Sequence, residues 1–284
     1  MDAKRRRYVV MGAMALIAIL VIGGIIWGVM SFLAPPRRTV SHSPIAQERQ
    51  ATSEPQAEQQ AGQQAEQPAA ATRDVTFQTE DGVRIVGTYY PGSGDGVLLL
   101  HQLGSDRHSW DYFAKKLQDA GYAVLSIDMR GHGESGLDWR EFRSPTGVTR
   151  QADNDFLGML LDVKAAKSRL NEEGKFASVI VGASIGANIA ALYAETDSRV
   201  KEMVLLSPGM DYRGVQLPSG PLFAGKTMLV ASSDDKQSAA ALDAYPGRIR
   251  GEHKTLEYPG KAHGTEILDT QPGLADRIIE WLKK

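Results

Sequence analysis

Short apolar runs rich in β-branched residues alternate with longer amphipathic segments from Arg73 to the end of the chain. Helices are predicted at about 107–120, 153–171, 185–196, 236–244 and 274–283, where apolar residues recur every three or four positions. Eight runs predict strands, namely DVTFQT, VRIVGTYY, GVLLLH, YAVLSID, SVIVGA, EMVLLS, TMLVAS and KTLEY. The first two are joined by Asp81-Gly82, which is typical of a hairpin turn, so we expect an antiparallel pair there. Near-continuous apolar strands separated by helices predict an α/β fold, with a mostly parallel central sheet and helices on both faces.

The N-terminal part of the chain has a different pattern. Residues 8–33 carry no charged side chain, and as a helix of about 39 Å they are long enough to cross a hydrocarbon core of ~30 Å. They predict a single transmembrane helix, preceded by a basic flank at residues 1–7. The alternative, a cleaved signal peptide, would have a shorter apolar region and a small-residue cleavage site, and neither is evident.

Basic residues are unevenly placed around the predicted span. Lys4, Arg5, Arg6 and Arg7 precede it, whereas only Arg37 and Arg38 follow closely. This bias favours a cytoplasmic N-terminus with the rest outside the cytoplasm, in the periplasm or the extracellular space. Residues 34–72 are rich in Pro, Gln, Ala and Glu and predict a flexible linker. We therefore expect a single-pass membrane protein whose folded domain comprises residues 73–284.

Composition excludes several classes of function. The chain has 284 residues, of which 42% are hydrophobic and 23% charged, enough to form a substantial core. A net charge of -2 argues against a nucleic-acid partner. The chain contains no cysteine, which excludes disulfides, thiolate metal sites and a cysteine nucleophile.

Polar residues follow the predicted strands, where ligands of parallel sheets bind. Ser184 lies at the centre of Gly182-Ala183-Ser184-Ile185-Gly186, between a predicted strand and a predicted helix. The order Ser184, Asp235, His263 is that of a nucleophile-elbow hydrolase. A serine hydroxyl needs an imidazole to take its proton and a carboxylate to orient that imidazole. We therefore predict a catalytic triad of Ser184, His263 and Asp235; His101 and Asp128 are the other polar residues expected at this edge of the sheet.

Four stretches, LLLHQLGSDRHSW, DMRGHGESG, VGASIGAN and GKAHG, resemble the α/β-hydrolase family, and the resemblance covers nearly all of residues 75–284. It implies an oxyanion hole made of two backbone N–H groups, which map onto Ile185 and Leu103. Gln102 replaces the glycine that the family usually has after the histidine. The family's spacing also favours Asp235 over Asp234 as the acid of the triad.

Caps that select substrates in this family usually follow the sixth strand. Here only residues 208–225 are available, and we expect a loop with at most one helical turn. Such a site should be open and suit small soluble esters or an exposed acyl or peptidyl bond. The candidate pocket-lining residues are His101, Gln102, Met210 and Tyr212, with Leu217 and Phe223 as further wall residues and Trp139 and Phe142 in a second insert at 136–147; His101 is alternatively a structural residue.

One competing motif is present. Residues 131–136, GHGESG, fit the dinucleotide-binding pattern, but no apolar-periodic helix follows and no acidic residue ends a strand about 20 residues later. We therefore expect no cofactor, and no histidine and carboxylate spacing compels a metal site. The sequence predicts a membrane-anchored serine hydrolase, most simply a carboxylesterase acting on a small-molecule ester or acyl substrate. A thioesterase or serine peptidase of the same fold, or a non-catalytic binding module of the envelope, is the alternative.

Overall fold

The computed structural model of the protein describes residues 71–144, 153–220 and 223–284. The helices of this described part are α1 (Asp111–Asp119), α2 (Met159–Glu172), α3 (Ile185–Ala194), α4 (Lys236–Ala244), α5 (Glu266–Thr270) and α6 (Leu274–Leu282). Its strands are β1 (Arg73–Gln78), β2 (Arg84–Tyr90), β3 (Gly96–Leu100), β4 (Ala123–Asp128), β5 (Ala177–Ala183), β6 (Glu202–Leu206), β7 (Asp211–Tyr212), β8 (Val215–Gln216), β9 (Lys226–Ser232) and β10 (His253–Tyr258).

Eight of these strands form one sheet in the order β1-β2-β4-β3-β5-β6-β9-β10. Strand β2 pairs antiparallel with both β1 and β4, and the remaining pairs are parallel. The turn between β1 and β2 contains Gly82 with a φ of 83°, a conformation that glycine adopts without steric cost. The predicted mostly parallel sheet with an antiparallel start is confirmed.

The sheet is buried on both faces, as its continuous apolar strands require. In β5, Ile180 points into a core cluster with Met159 and Leu170 of α2. Its neighbour Val181 points to the opposite face, into a cluster with Phe113 of α1 and Ile278 of α6. Because successive side chains of a strand alternate, one apolar strand supplies both layers of the core.

The parallel register brings the carboxyl ends of the central strands to one edge. Leu100 of β3 lies opposite Gly182 of β5, and Ala183 lies opposite Leu206 of β6. On the other side, Tyr258 of β10 lies opposite Ser232 of β9. The loops that follow these strands therefore start side by side.

Two elements were not predicted. Strands β7 and β8 form a hairpin within 208–225, where we expected a loop, and its turn has Arg213 and Gly214 at φ values of 56° and 79°. The Asp211 carboxylate accepts a 2.7 Å hydrogen bond from the Gly214 N–H. Helix α5 has five residues. Elements this short contain too few positions for a hydrophobic period to be recognised.

The predicted membrane-spanning segment 8–33 lies outside the described residues, as do the basic flank 1–7 and linker residues 34–70. Across 71–144, 153–220 and 223–284, none of the helices combines the length and the apolar character needed to span a bilayer.

Asp128, at the end of β4, is fully buried and holds the neighbouring loops together. Its carboxylate accepts hydrogen bonds from the Arg107 N–H at 2.7 Å, from Arg107 Nη1 at 2.5 Å and from the Glu134 N–H at 2.8 Å. The Arg107 guanidinium is itself buried. Asp128 is thus occupied by structural contacts, although its position after a strand placed it among the candidate residues of the edge.

Replacing Asp128 by alanine removes the buried acceptor and leaves the Arg107 guanidinium poorly compensated. We expect the free energy of unfolding to fall by about 3 kcal/mol, as for other broken buried ion pairs. Urea denaturation followed by tryptophan fluorescence measures it. Lys115→Ala, which breaks an exposed pair with Asp119, is the control and should change stability by less than about 0.5 kcal/mol. Equal effects of the two substitutions would contradict the assignment.

Candidate active site

Ser184 occupies a strained turn between β5 and α3. Its φ and ψ are 54° and -119°, a region that non-glycine residues rarely adopt and that costs about 1–3 kcal/mol. The Ser184 N–H donates a 2.8 Å hydrogen bond to the carbonyl of Leu206 in β6, which fixes the turn to the neighbouring strand. Such strain is typical of sites where a side chain must be presented at a defined point.

Glycines allow this turn to pack closely. A Cβ atom added to Gly186 would lie 2.5 Å from the carbonyl oxygen of Leu100 and 2.6 Å from that of His101. A Cβ atom added to Gly182 would collide with the backbone of Gly186. The first turn of α3 therefore lies directly against the loop that follows β3.

Two backbone N–H groups are left free at this contact. Within the described ranges, neither the Leu103 N–H nor the Ile185 N–H has a hydrogen-bond acceptor. Ile185 is the first residue of α3, where the helix dipole favours negative charge. The predicted oxyanion-hole residues thus carry unoccupied donors on both sides of the close approach.

His263 and Asp235 are directly paired. The His263 Nδ1 lies 2.7 Å from Asp235 Oδ2, so Nδ1–H donates to the carboxylate and Nε2 is left as a base. The Asp235 side chain is 12% exposed and that of His263 is 36% exposed. Asp234 is 63% exposed and lies 3.5 Å from Lys236 Nζ. The structure therefore pairs Asp235, and not Asp234, with the imidazole.

Tyr212 of the β7–β8 hairpin contacts the histidine. Its ring is perpendicular to that of His263, with the centroids 6.1 Å apart. Burial raises the pKa of Tyr212, and the hydroxyl groups of Ser238 and Ser184 oppose that rise. Ser184 and His263, both described, make no hydrogen bond to each other; in unliganded enzymes this bond is often long and forms with substrate.

Three side chains from other strands hold the loop that carries His263. Ser232 Oγ donates to the Ala262 carbonyl at 2.8 Å, and Ser207 Oγ accepts from the Gly264 N–H at 2.9 Å. The Gln102 side-chain oxygen accepts from Thr265 Oγ1 at 3.1 Å. Gln102, which departs from the family pattern, thus ties the loop after β3 to the histidine loop. No sequence signal distinguishes these residues from ordinary polar loop residues.

The other predicted histidines shape loops. His101 is fully buried; its Nδ1–H donates to the Gln102 carbonyl at 2.7 Å, and its Nε2 accepts from the Met129 N–H at 3.0 Å. Burial lowers the pKa of His101 to about 3, so the ring is neutral. His132 donates from Nδ1 to the Arg130 carbonyl and stacks on Trp139. Both ring nitrogens of His101 are therefore occupied by backbone groups, and the His132 ring is buried against Trp139.

The remaining candidates for the pocket wall differ in burial. Met210, Trp139 and Phe142 are partly buried at the edge of one core cluster. Leu217 and Phe223 are buried within that cluster and belong to the core. The GHGESG segment is followed by a short 3₁₀ turn, Trp139–Glu141, so the helix that a dinucleotide-binding loop requires does not follow it.

A family model and several known proteins match this chain. The family model described as "Serine aminopeptidase, S33" matches residues 95–241. The uncharacterized protein Rv2307c of Mycobacterium tuberculosis is 29% identical over 213 residues, which are 70% of this chain and 75% of that protein.

Solved structures match 75% of the chain. Dienelactone hydrolase of Anabaena variabilis has a TM-score of 0.58 at 21% identity and is matched over 75% of this chain and 94% of its own. An esterase of Pyrococcus furiosus has a TM-score of 0.56 at 19% identity, over 75% and 90%. At these identities the likeness shows the α/β-hydrolase fold.

The buried neutral His101 predicts a pH dependence of stability. Its folded pKa of about 3 lies below the ordinary value of 6.5, so the unfolded chain takes up a proton first as the pH falls. Between pH 7 and pH 5 this residue should lower the free energy of unfolding by about 2 kcal/mol. Its replacement by glutamine keeps an acceptor for Met129 but does not titrate, so urea titrations should show that much less acid sensitivity in His101→Gln. Equal slopes in the two proteins would refute the assignment.

Proposed function

Because the chain belongs to the serine aminopeptidase S33 family of α/β-hydrolases, we propose that it is a serine hydrolase that cleaves carboxylic esters through an acyl-enzyme intermediate. Ser184 is the nucleophile, His263 is the general base, and the Asp235 carboxylate orients the imidazole of His263. The observation that carries this proposal is the 2.7 Å hydrogen bond between His263 and Asp235, in loops at the same edge of the sheet as Ser184 on its strained turn.

The geometry supports a two-step reaction. In the first step Ser184 Oγ attacks the carbonyl carbon of the ester while His263 Nε2 takes its proton. The tetrahedral intermediate places its negative oxygen at the free N–H groups of Leu103 and Ile185, where each donor is worth about 3–4 kcal/mol in other enzymes. His263 then returns the proton to the departing alkoxide, and the acyl group stays on Ser184.

The second step releases the acid. His263 Nε2 takes a proton from water as the water oxygen attacks the acyl carbon, and then protonates Ser184 Oγ as the carboxylic acid departs. Asp235 keeps its hydrogen bond to Nδ1 and stabilises the imidazolium that forms in each step. The partial exposure of the His263 side chain gives water access to this position.

The described surroundings of the triad suit a small soluble ester better than a bulky lipid. The segment after β6 forms a two-stranded hairpin instead of a large cap, and the histidine is partly open to solvent. The family description names an aminopeptidase, so a peptidase is the second candidate, with a thioesterase as a third. A non-catalytic envelope module is the alternative of another class.

We further propose that residues 8–33 anchor the enzyme in a membrane with the hydrolase domain outside the cytoplasm. Support comes from the uncharged apolar run and the four basic residues that precede it. Linker residues 34–72 would then let the domain reach substrates away from the bilayer surface.

A fluorophosphonate probe should label the wild-type protein at Ser184, since such probes react with activated serines. Ser184→Ala should lose the label and lower the kcat/KM for p-nitrophenyl esters by at least about 10⁴-fold. Asp235→Asn should lower kcat by about 10⁴-fold because the amide removes the negative charge and can donate to Nδ1, which favours the tautomer of His263 that cannot act as the base. Asp234→Asn is the matched control and should retain activity within about twofold.

Failure of the wild-type protein to label and to cleave any ester would favour the non-catalytic module. Turnover of aminoacyl amides in preference to esters would favour the peptidase, and a preference for thioesters would favour the thioesterase.

Topology has its own test. Alkaline phosphatase fused after Thr72 should be active in a bacterial host, because this enzyme matures only outside the cytoplasm. A fusion at Lys4, before the predicted span, is the control and should be inactive. An inactive fusion at Thr72 would place the domain in the cytoplasm.

A further inference from the structure

The β7–β8 hairpin brings Tyr212 to the triad. Tyr212 makes more contacts there than a residue that only lines the pocket would need. The Tyr212 hydroxyl lies 3.1 Å from Ser238 Oγ and donates toward the Ser207 carbonyl at 3.3 Å. Its ring meets His263 edge to face at 6.1 Å. Two hydrogen bonds thus hold the Tyr212 hydroxyl while the ring contacts the catalytic base.

The hairpin itself is tied to the nucleophile helix. Asn188, fully buried and one turn after Ser184, donates from Nδ2 to the carbonyls of Gly209 and Val215, each at 2.7 Å. Its side-chain oxygen accepts from the Gly209 N–H at 3.2 Å. Any movement of the hairpin relative to α3 would break these bonds in the buried interior, so the tyrosine and the serine are positioned as one unit.

Close packing fixes the ring as well. A Cβ atom added to Gly209 would lie 2.5 Å from Tyr212 Cζ, so the phenol lies flat against a backbone that carries no side chain. Ring position is therefore set by the backbone rather than by flexible neighbours. This leaves little freedom for the hydroxyl.

The hydrogen bonds of the Tyr212 hydroxyl fix the position of the ring. A phenol has one proton, and the Ser207 carbonyl can only accept. With that proton directed to the Ser207 carbonyl, the phenol oxygen accepts from Ser238 Oγ. These two bonds hold the hydroxyl in place, and the edge-to-face ring contact then places Tyr212 against His263.

We propose that Tyr212 is a positioning residue of the hydrolase: its hydroxyl, bound to Ser207 and Ser238, anchors the ring against the His263 imidazole and so keeps the base in its working position. This inference rests on the proposed function of the triad. It goes beyond lining of the pocket, because it assigns a role to the hydroxyl group and not to the bulk of the ring.

The test compares Tyr212→Phe, Tyr212→Ala and the control Tyr112→Phe, whose ring is 58% exposed on α1. For p-nitrophenyl acetate and butyrate, Tyr212→Phe should lower kcat by about 10-fold with KM within twofold, because the ring loses the hydrogen bonds that anchor it against the base. The rate of fluorophosphonate labelling should fall by the same factor. Tyr112→Phe should leave both rates unchanged.

Ser238→Ala provides a second variant that leaves the ring intact. It removes one partner of the phenol and should lower kcat by about two- to fivefold, and it carries the test if Tyr212→Phe fails to fold. Thermal unfolding of each variant identifies a purely structural effect.

The results of these measurements distinguish a positioning role of Tyr212 from a steric or a structural role. Normal kcat and labelling in Tyr212→Phe, with only Tyr212→Ala altering the preference for acyl length, would show a steric wall and overturn the proposal. A lowered melting temperature with unchanged kcat would show a structural role and overturn it as well. Absence of labelling in the wild-type protein would instead overturn the proposed function itself.

Discussion

The close approach of helix α3 to the loop after β3 is the constraint on which the site depends. Gly186 faces the carbonyl oxygens of Leu100 and His101 at distances that no side chain would tolerate. Ser184 takes a strained conformation at this contact, and the N–H groups of Leu103 and Ile185, which have no acceptor among the described residues, lie at the same edge. Strain of this kind persists only when the surrounding structure holds the residue in place. Here the hydrogen bond from the Ser184 N–H to β6 does so.

The rest of the site is assembled by polar side chains at the carboxyl ends of neighbouring strands. Gln102, Ser207 and Ser232 come from the ends of three strands and together hold the loop that carries His263. Asp235 then fixes the imidazole in one tautomer. A hydrolase needs its base placed to a fraction of an ångström, and a loop of glycine and small residues gains that precision only from such external contacts.

The sequence was informative where a repeating pattern or a close backbone approach imposes the residue type. All eight strands of the main sheet were predicted because buried parallel strands demand continuous apolar runs, and Ser184 was found because glycines flank it. The hairpin carrying Tyr212 was missed, since two-residue strands have no period. The roles of Ser207, Ser238 and Asn188 also escaped prediction, because a polar side chain that bonds across the fold has no local signature. For Asp128 the prediction was wrong in the opposite direction. Its position after a strand is typical of a site residue, but its carboxylate is hydrogen-bonded to Arg107 and has a structural role.

The central claim, that Ser184 becomes acylated with His263 as its base, is tested most directly by trapping the intermediate. The full-length protein would be mixed with p-nitrophenyl acetate, quenched in acid within the burst of p-nitrophenol, and mapped by mass spectrometry. We predict one acetyl group on the peptide that contains Ser184, with no burst in His263→Ala. Turnover without an adduct, or an acetyl group on another residue at the same rate in Ser184→Ala, would contradict the account.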